Sequence, residues 1–445
     1  RYLSALMTGL MLVSASPAAT LDDLPDRPNF IVIFCDDLGW GDLGCYGHPT
    51  IATPNLDRMA SEGMRMTQFY VAASVCTPSR AGLMTGRYPV RSGMCGKRRV
   101  LFPDSVGGLP ASESTIAEVL KQRGYATAMV GKWHLGHLPQ YLPTEHGFDS
   151  YYGIPYSNDM DSLAPKGSKR WDIFRDPDWK NFNVPLLEGT TAGGVQQIER
   201  PVDQRTITRR YVLKAVDFIR NQDKDQPFFL YLAHSLPHVP LFRSGDFVGH
   251  SRAGIYGDVI EEIVWGVGEI LGTLREQGID ERTMVVFTSD NGPWLVFDDH
   301  GGSAGPLRNG KGTTFEGGQR VPCLMRGPGI PAGTVCNELT GTIDVLPTIA
   351  AITGKPLPAG KNIDGVDVSG LWMGTAKQSP RIEFLHYTSG GALEGIRQGK
   401  WKLLVKKPRR PKNQRKTPAQ PPQILLFDLS EDVGEQNNVA NSNPA

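Results

Sequence analysis

Neither sign of charge is in excess: 47 Lys and Arg stand against 46 Asp and Glu in 445 residues, a formal net charge of +1. A general nucleic-acid binder needs a phosphate-facing surplus of Lys and Arg, so that class is disfavoured. Cysteine is scarce, with six in the whole chain, which excludes a disulfide-built scaffold. Beyond the first 20 residues no apolar run reaches the roughly 20 residues of a membrane span. What the chain has instead is 40% apolar residues, too many for a disordered polymer. Its 51 Gly and 34 Pro point to many loops around a large core. These counts describe an enzyme-sized globular protein, with room for one large domain and a smaller one.

The two ends stand apart. Residues 3–13 are apolar and residues 14–19 mostly small, the pattern of a secretory leader (1–19), so a periplasmic or secreted protein is expected. Near the other end, Lys406, Lys407, Arg409, Arg410, Lys412, Arg415 and Lys416 form a basic stretch broken by Pro408 and Pro411. A solvated loop between two strands is the commoner outcome of such a run; a polyanion-binding strip is the alternative.

Four continuous apolar runs, 30–34, 126–130, 228–233 and 284–288, read as strands buried on both faces of a parallel sheet. Each is followed at once by polar residues able to do chemistry: Asp36-Asp37, Lys132 and His134, His234 and His238, and Asp290-Asn291. Ligands of such sheets bind beyond the carboxyl ends of the strands, so the four runs converge on one site. Helices are expected between them. Thr53-Pro54 opens one that Gly63 closes, and Thr115 with Glu118 forms a capping box. Residues 206–221, 256–277 and 343–353 are further amphipathic stretches. The alternation predicts an α/β fold with a large, mostly parallel sheet flanked by helices. After about residue 375 short strands follow one another without helices, which predicts a small antiparallel C-terminal subdomain (376–445) after a main domain over 27–375.

Asp36, Asp37, Asp290 and Asn291 supply hard oxygen ligands, the set that suits Ca²⁺ better than Zn²⁺. Alone, an Asp-Asp pair is more often a cap or a turn. Cys76-Thr77-Pro78-Ser79-Arg80 sits where a helix begins, a place that favours anions and lowers a thiol pKa. The plainer reading of Cys76 is a buried thiol. A cysteine phosphatase is disfavoured because the Arg of its Cys-x5-Arg loop would fall on Gly82.

Residues 74–86 (Ser-Val-Cys-Thr-Pro-Ser-Arg-Ala-Gly-Leu-Met-Thr-Gly) resemble the first signature of the type I sulfatase family, and residues 124–134 resemble its second. The likeness runs from about Asn29 to Asp428 and is greatest toward the branch of arylsulfatase A and N-acetylgalactosamine-6-sulfatase. It includes Asp36-Asp37-Leu-Gly-Trp-Gly-Asp42, Gly153-Ile-Pro-Tyr-Ser157 and Lys311-Gly-Thr-Thr-Phe-Glu-Gly-Gly318. The resemblance implies an alkaline-phosphatase-like sandwich and hydrolysis of sulfate monoesters, the substrate being a sulfated small molecule or glycan. It implies that a maturation enzyme oxidises Cys76 to formylglycine. One hydroxyl of the hydrated aldehyde then attacks sulfur, and loss of the other's proton expels sulfate from the covalent ester. By the same resemblance Asp36, Asp37, Asp290, Asn291 and the converted Cys76 hold one Ca²⁺. Arg80 and Lys132 hold the formylglycine, and His134 is the base of the elimination. His238 and Lys311 bind sulfate and protonate the leaving oxygen, while Ser157 binds sulfate.

Other residues near these motifs carry weaker expectations. His234 reads as a structural histidine, and His300 as either a mouth residue or an exposed loop residue. Trp40, Trp133 and Trp294 are candidates for stacking on a substrate ring, with core packing the default. Residues 160–204 lack apolar periodicity and are expected to form a loop-rich rim that sets specificity. If Cys76 is converted, five Cys remain and at least one is free or intermolecular. Two rivals remain. One is a formylglycine-dependent phosphodiester or phosphonate monoester hydrolase; the other is a non-catalytic protein that binds sulfated glycans.

Overall fold

The apolar runs become the strands of one large sheet. In chain order its strands are β1 (Asn29–Cys35), β2 (Met64–Tyr70), β3 (Ala126–Lys132), β4 (Ser150–Ile154), β5 (Leu186–Thr190), β6 (Gly194–Glu199), β7 (Phe228–Ala233), β8 (Thr283–Ser289), β9 (Arg320–Arg326), β10 (Thr334–Cys336) and β11 (Thr340–Gly341). The computed structural model describes residues 20–96, 98–165, 167–407 and 421–443, so the expected leader and the basic stretch over 408–420 lie outside the described residues. The strands pair in the order β10-β2-β9-β8-β1-β7-β3-β4-β5-β6, with β11 alongside β2. From β8 through β1, β7 and β3 to β4 the pairing is parallel; β9 and the β5–β6 hairpin run antiparallel to their neighbours.

Every residue of β1 is buried, because helices cover both faces. Ile31 and Ile33 point to one side, where α1 (Pro54–Glu62), α5 (Ile207–Arg220) and α6 (Gly254–Glu276) pack. Phe30, Val32 and Phe34 point to the other, toward α2 (Cys76–Thr85), α3 (Ile116–Lys121) and α8 (Val345–Ile352). Two shorter helices, α4 (Arg170–Arg175) and α7 (Glu316–Gln319), lie in the connections. The capping box at α3 forms as expected: the Glu118 amide donates to Thr115 Oγ1 (3.2 Å) and the Thr115 amide to Glu118 Oε2 (2.7 Å).

One expectation needs correcting. Residues 160–204 are not all loop, since β5 and β6 extend the main sheet at its edge. β6 has no fully buried residue, so its sequence carries no apolar alternation by which to recognise it.

The C-terminal strands, β12 (Glu383–Tyr387), β13 (Leu393–Gln398), β14 (Trp401–Lys406) and β15 (Gln423–Asp428), form a separate antiparallel sheet in chain order. Leu404, Leu425 and Phe427 close a small core with Phe315, and a buried ionic cluster joins this sheet to the main one. Lys402 is wholly buried between Glu316 Oε1 (2.8 Å) and Glu435 Oε1 (3.1 Å). Glu316 also accepts from Arg320 (3.2 Å) and from the Tyr70 hydroxyl, which in turn accepts from Arg397. Burial alone would push the Glu316 carboxyl up, yet Lys402, Arg320 and Arg397 together hold it far below the usual range. Removing one partner of such a pair strands a buried charge at a cost of about 3–5 kcal/mol.

His146 shows what burial does to an unpaired imidazole. It packs on Trp133 (ring centroids 5.9 Å apart), neither ring nitrogen has a hydrogen-bond partner among the described residues, and burial lowers its pKa from 6.5 to about 4. The unfolded chain takes up this proton below about pH 6.5 while the native form refuses it until about pH 4. Stability is therefore full above pH 6.5 and declines as the pH falls through that window. The expected share is about 2 kcal/mol at pH 5. His146→Phe should shrink the fall in Tm between pH 7 and pH 5 in calorimetry; an unchanged fall would clear this residue of the effect.

Candidate active site

The four strand ends meet as the sequence implied. The Asp36 amide donates to Leu236 O (3.2 Å), the Asp290 amide to Cys35 O (3.0 Å) and the Asp37 amide to Asp290 Oδ1 (3.1 Å), so the segments leaving β1, β7 and β8 are tied together. Gly131 makes a close approach possible on β3: at φ +115°, a Cβ there would lie 1.8 Å from Ala233 O of β7. Lys132, the next residue, is thereby brought beside the end of β1. Asp37 (φ +67°) and His134 (φ +57°) both hold the left-handed backbone that disfavours side chains, a strain of order 1–3 kcal/mol each that collects at functional sites.

Cys76 is the first residue of α2, a helix buried over all ten residues. Its Sγ lies 3.3 Å from Asp36 Oδ1 and 3.6 Å from Lys311 Nζ. Burial, with Asp290 and Asp36 nearby, pushes the thiol well above its usual pKa. This reverses the lowering expected of a helix N-terminus, because two carboxylates and a dry setting outweigh the helix dipole. An unmodified Cys76 is a neutral thiol, unsuited to direct attack.

Three cations interleave with three carboxylates. Arg80 donates to Asp290 Oδ2 from Nε (3.1 Å) and Nη2 (2.9 Å), and to Lys132 O from Nη1 (2.8 Å). Lys132 Nζ pairs with Asp36 and donates to Ser157 Oγ (3.1 Å). Lys311 Nζ contacts both oxygens of Asp37 (2.7 and 2.8 Å). Burial draws the Lys311 ammonium down, but Asp37 and its anionic neighbours overcome this and hold it above its ordinary range. Asp36, Asp37, Cys76 and His238 each bring a ligand atom within 4.8 Å of the others. Asn291 donates from Nδ2 to Asp37 Oδ1 (2.7 Å), which leaves its own Oδ1 buried without a partner among the described residues. An orphaned amide oxygen beside crowded carboxylates is the donor set of a hard divalent cation.

Two histidines complete the set. A carbonyl oxygen only accepts, so each ring nitrogen facing one carries the proton. His134 Nε2 donates to Leu101 O (2.8 Å), and its Nδ1 lone pair is left without a partner among the described residues. Burial and the Lys132 charge hold His134 well below its usual pKa. His238 Nδ1 donates to Val239 O (2.5 Å), and its Nε2 lies 3.7 Å from Asp37 Oδ2.

Cys76, His134, Ser157, His238 and Lys311 open into a cavity of about 430 Å³. Trp294 lines it too, 4.3 Å below the Lys311 ammonium, whereas Trp133 is core and Trp40 packs edge-on against Tyr46 (4.9 Å). His234 is buried, with both ring nitrogens unpartnered among the described residues, and His300 is buried and not part of the cavity lining. All six cysteines are free thiols. One wall segment has no mark in the sequence: the loop that carries Arg99, Val100 and Phe102 shows no periodic pattern and no metal-ligand spacing. Met160, Phe174 and Phe182 line the cavity from the segment 160–204 that the sequence singled out as a rim.

A family model of sulfatases matches residues 28–355. Arylsulfatase A of Bos taurus is 41% identical over 99% of this chain and 88% of its own length. N-acetylgalactosamine-6-sulfatase of Canis lupus familiaris is 40% identical over 88% of this chain and 74% of its own. Among solved structures, the PsFucS1 sulfatase from Pseudoalteromonas sp. superposes with a TM-score of 0.80 at 31% identity, covering 93% of this chain and 86% of that one.

Proposed function

The chain belongs to the sulfatase family and is a sulfatase, and from that premise we propose that it is an exported, formylglycine-dependent hydrolase of aryl or carbohydrate sulfate monoesters. The observation that carries the reading is the position of Cys76 at the floor of the cavity, against Asp36 and Lys311. Conversion of this thiol by a maturation enzyme would supply a hydrated aldehyde, one hydroxyl to attack sulfur and a second to drive sulfate out. Asp36, Asp37, Asp290 and Asn291 would hold Ca²⁺, which when bound polarises sulfate oxygens and favours an ionised hydroxyl. Without it the three carboxylates and three cations nearly cancel; a divalent ion leaves the floor positive, as a sulfate requires.

The chain's own groups then divide the work. Lys132 and Lys311 donate to the sulfate oxygens, joined by Ser157, whose hydroxyl accepts from Lys132 and keeps its proton to donate. Arg80 fixes Asp290 and the carbonyl of Lys132, and so the spacing of the floor. His134 is oriented by Leu101 O with Nδ1 open to accept a proton. As the S–O bond to the alcohol breaks, the departing oxygen takes a proton from Lys311. His238 has committed its Nδ1 proton to Val239, so it donates to a sulfate oxygen or to the leaving oxygen only in the form that also carries a proton on Nε2.

The test couples two readouts on protein co-expressed with a maturation enzyme. The mass of the peptide carrying Cys76 should show an aldehyde in place of the thiol, and the same protein should hydrolyse 4-nitrophenyl sulfate faster than bis(4-nitrophenyl) phosphate. Faster phosphodiester turnover would overturn the reaction class. A thiol that persists in active protein would overturn the nucleophile.

A further inference from the structure

Resting on the sulfatase reading, we propose that Arg99 is a second anion-recognition group of the cavity. The preferred substrate then carries, beside the scissile sulfate, another anionic group about one ring away. The Trp294 ring serves as the ruler. Lys311 Nζ lies 4.3 Å from its centroid and the Arg99 guanidinium carbon 5.5 Å, so the two cations are within about 10 Å of one another. One is at the cavity floor and the other at its exposed rim.

Arg99 differs from the arginines of the neighbouring segments. Arg98 pairs with Asp104 (2.6 Å), Arg175 with Asp299 (3.4 Å), Arg200 with Asp161 (2.5 Å) and Arg243 with Asp258 (3.3 Å). Arg99 has no carboxylate within ion-pair distance among the described residues; its contact is the face of Trp294. A guanidinium resting on an indole keeps its planar fork of donors oriented, and no carboxylate among the described residues pairs with it. The carboxylates in the lining do not cancel it either. Asp161 is taken by Arg200 and by Asn183 (3.1 Å), and Asp159 has a partner of its own. The cavity that the two cations share also presents the apolar side chains Phe102, Met160, Phe174 and Phe182. A ring with an anion at each end matches two cations about one ring apart in a cavity with an apolar wall: a sulfated sugar next to a uronate or a second sulfate, or a carboxylated aryl sulfate.

A matched pair of probes tests it: 4-carboxyphenyl sulfate and its neutral isostere, 4-carbamoylphenyl sulfate. Titration calorimetry on Cys76→Ala protein, which binds without turnover, reads affinity alone. The carboxylate should bind about threefold to fivefold tighter than the amide, as one exposed charge-assisted contact allows. Arg99→Ala in the same background should level the two, Arg99→Lys should keep part of the preference, and 0.5 M NaCl should erode it. Equal affinities in the parent, or a preference that survives Arg99→Ala, would overturn the role of Arg99. Turnover of the two esters by converted wild-type protein separates this from the underlying reading. Hydrolysis without a charge preference removes Arg99 alone, whereas a binding preference without hydrolysis by converted protein removes the sulfatase mechanism.

Discussion

Cys76→Ala should lower sulfate release from 4-nitrophenyl sulfate by at least about 10⁴-fold, the scale on which enzymes fall when the nucleophile of a concerted set is deleted. The fold should survive, because alanine suits a helix start and only one sulfur is lost from a packed site. Cys76→Ser sharpens the point. Serine keeps an oxygen where the thiol stood but offers one hydroxyl where the proposed chemistry needs two on one carbon, so a sulfated serine would have no internal route to expel sulfate. A burst of about one equivalent of alcohol, without turnover, is the strongest result this variant can give. Near wild-type rates in Cys76→Ala protein, measured by ion chromatography of released sulfate, would remove Cys76 from the mechanism.

Exhaustive chelation should be the second large effect. Asp36, Asp37 and Asp290 are buried together, and burial with the Asp36 charge raises Asp290 to about 7 even though Arg80 and Lys132 stand beside it. A divalent ion relieves that crowding, so removing it with EDTA should depress both the fold and the rate. Binding at a thousand times the dissociation constant stabilises by about 4 kcal/mol, which for a chain of this length is a loss of several degrees in Tm on chelation. Sulfate release should drop by at least about a hundredfold, on the order of several kcal/mol of lost charge stabilisation, and return on adding Ca²⁺. Asn291→Ala should weaken the Ca²⁺ rescue by removing the orphaned amide oxygen. A Tm and rate both indifferent to chelation would mean that the carboxylates are balanced by Arg80, Lys132 and Lys311 alone.

The parts of this molecule legible from its sequence were those with a one-dimensional signature. β1, β3, β7 and β8 are continuous apolar runs because both faces are covered, and Asp36, Lys132, His238 and Asp290 could be placed together because ligands gather at the ends of such strands. The small sheet announced itself as short strands without helices. What stayed hidden depends on surroundings that no local pattern records. The thiol pKa of Cys76 is raised by burial and by carboxylates 214 and 40 positions away in sequence, at Asp290 and Asp36. The β5–β6 hairpin sits at a sheet edge with little to bury, and the meeting of Arg99 and Phe102 from a loop with Phe174 of α4 is purely tertiary.

The buried cluster around Glu316 has a consequence for how this protein can be recombined. Glu316 follows Lys311 by five residues, and its carboxylate is held by Lys402 from β14 and by Arg320 from β9. The C-terminal sheet is thus not an interchangeable module. A chimera that swaps it for the corresponding piece of another chain must supply a lysine at the Lys402 position and a partner for Glu435. Otherwise it inherits an unpaired acid beside the segment that presents Lys311 to the substrate. Gene fusions, domain shuffling and truncation libraries should accordingly tolerate breakpoints only where Glu316, Lys402 and Glu435 travel together.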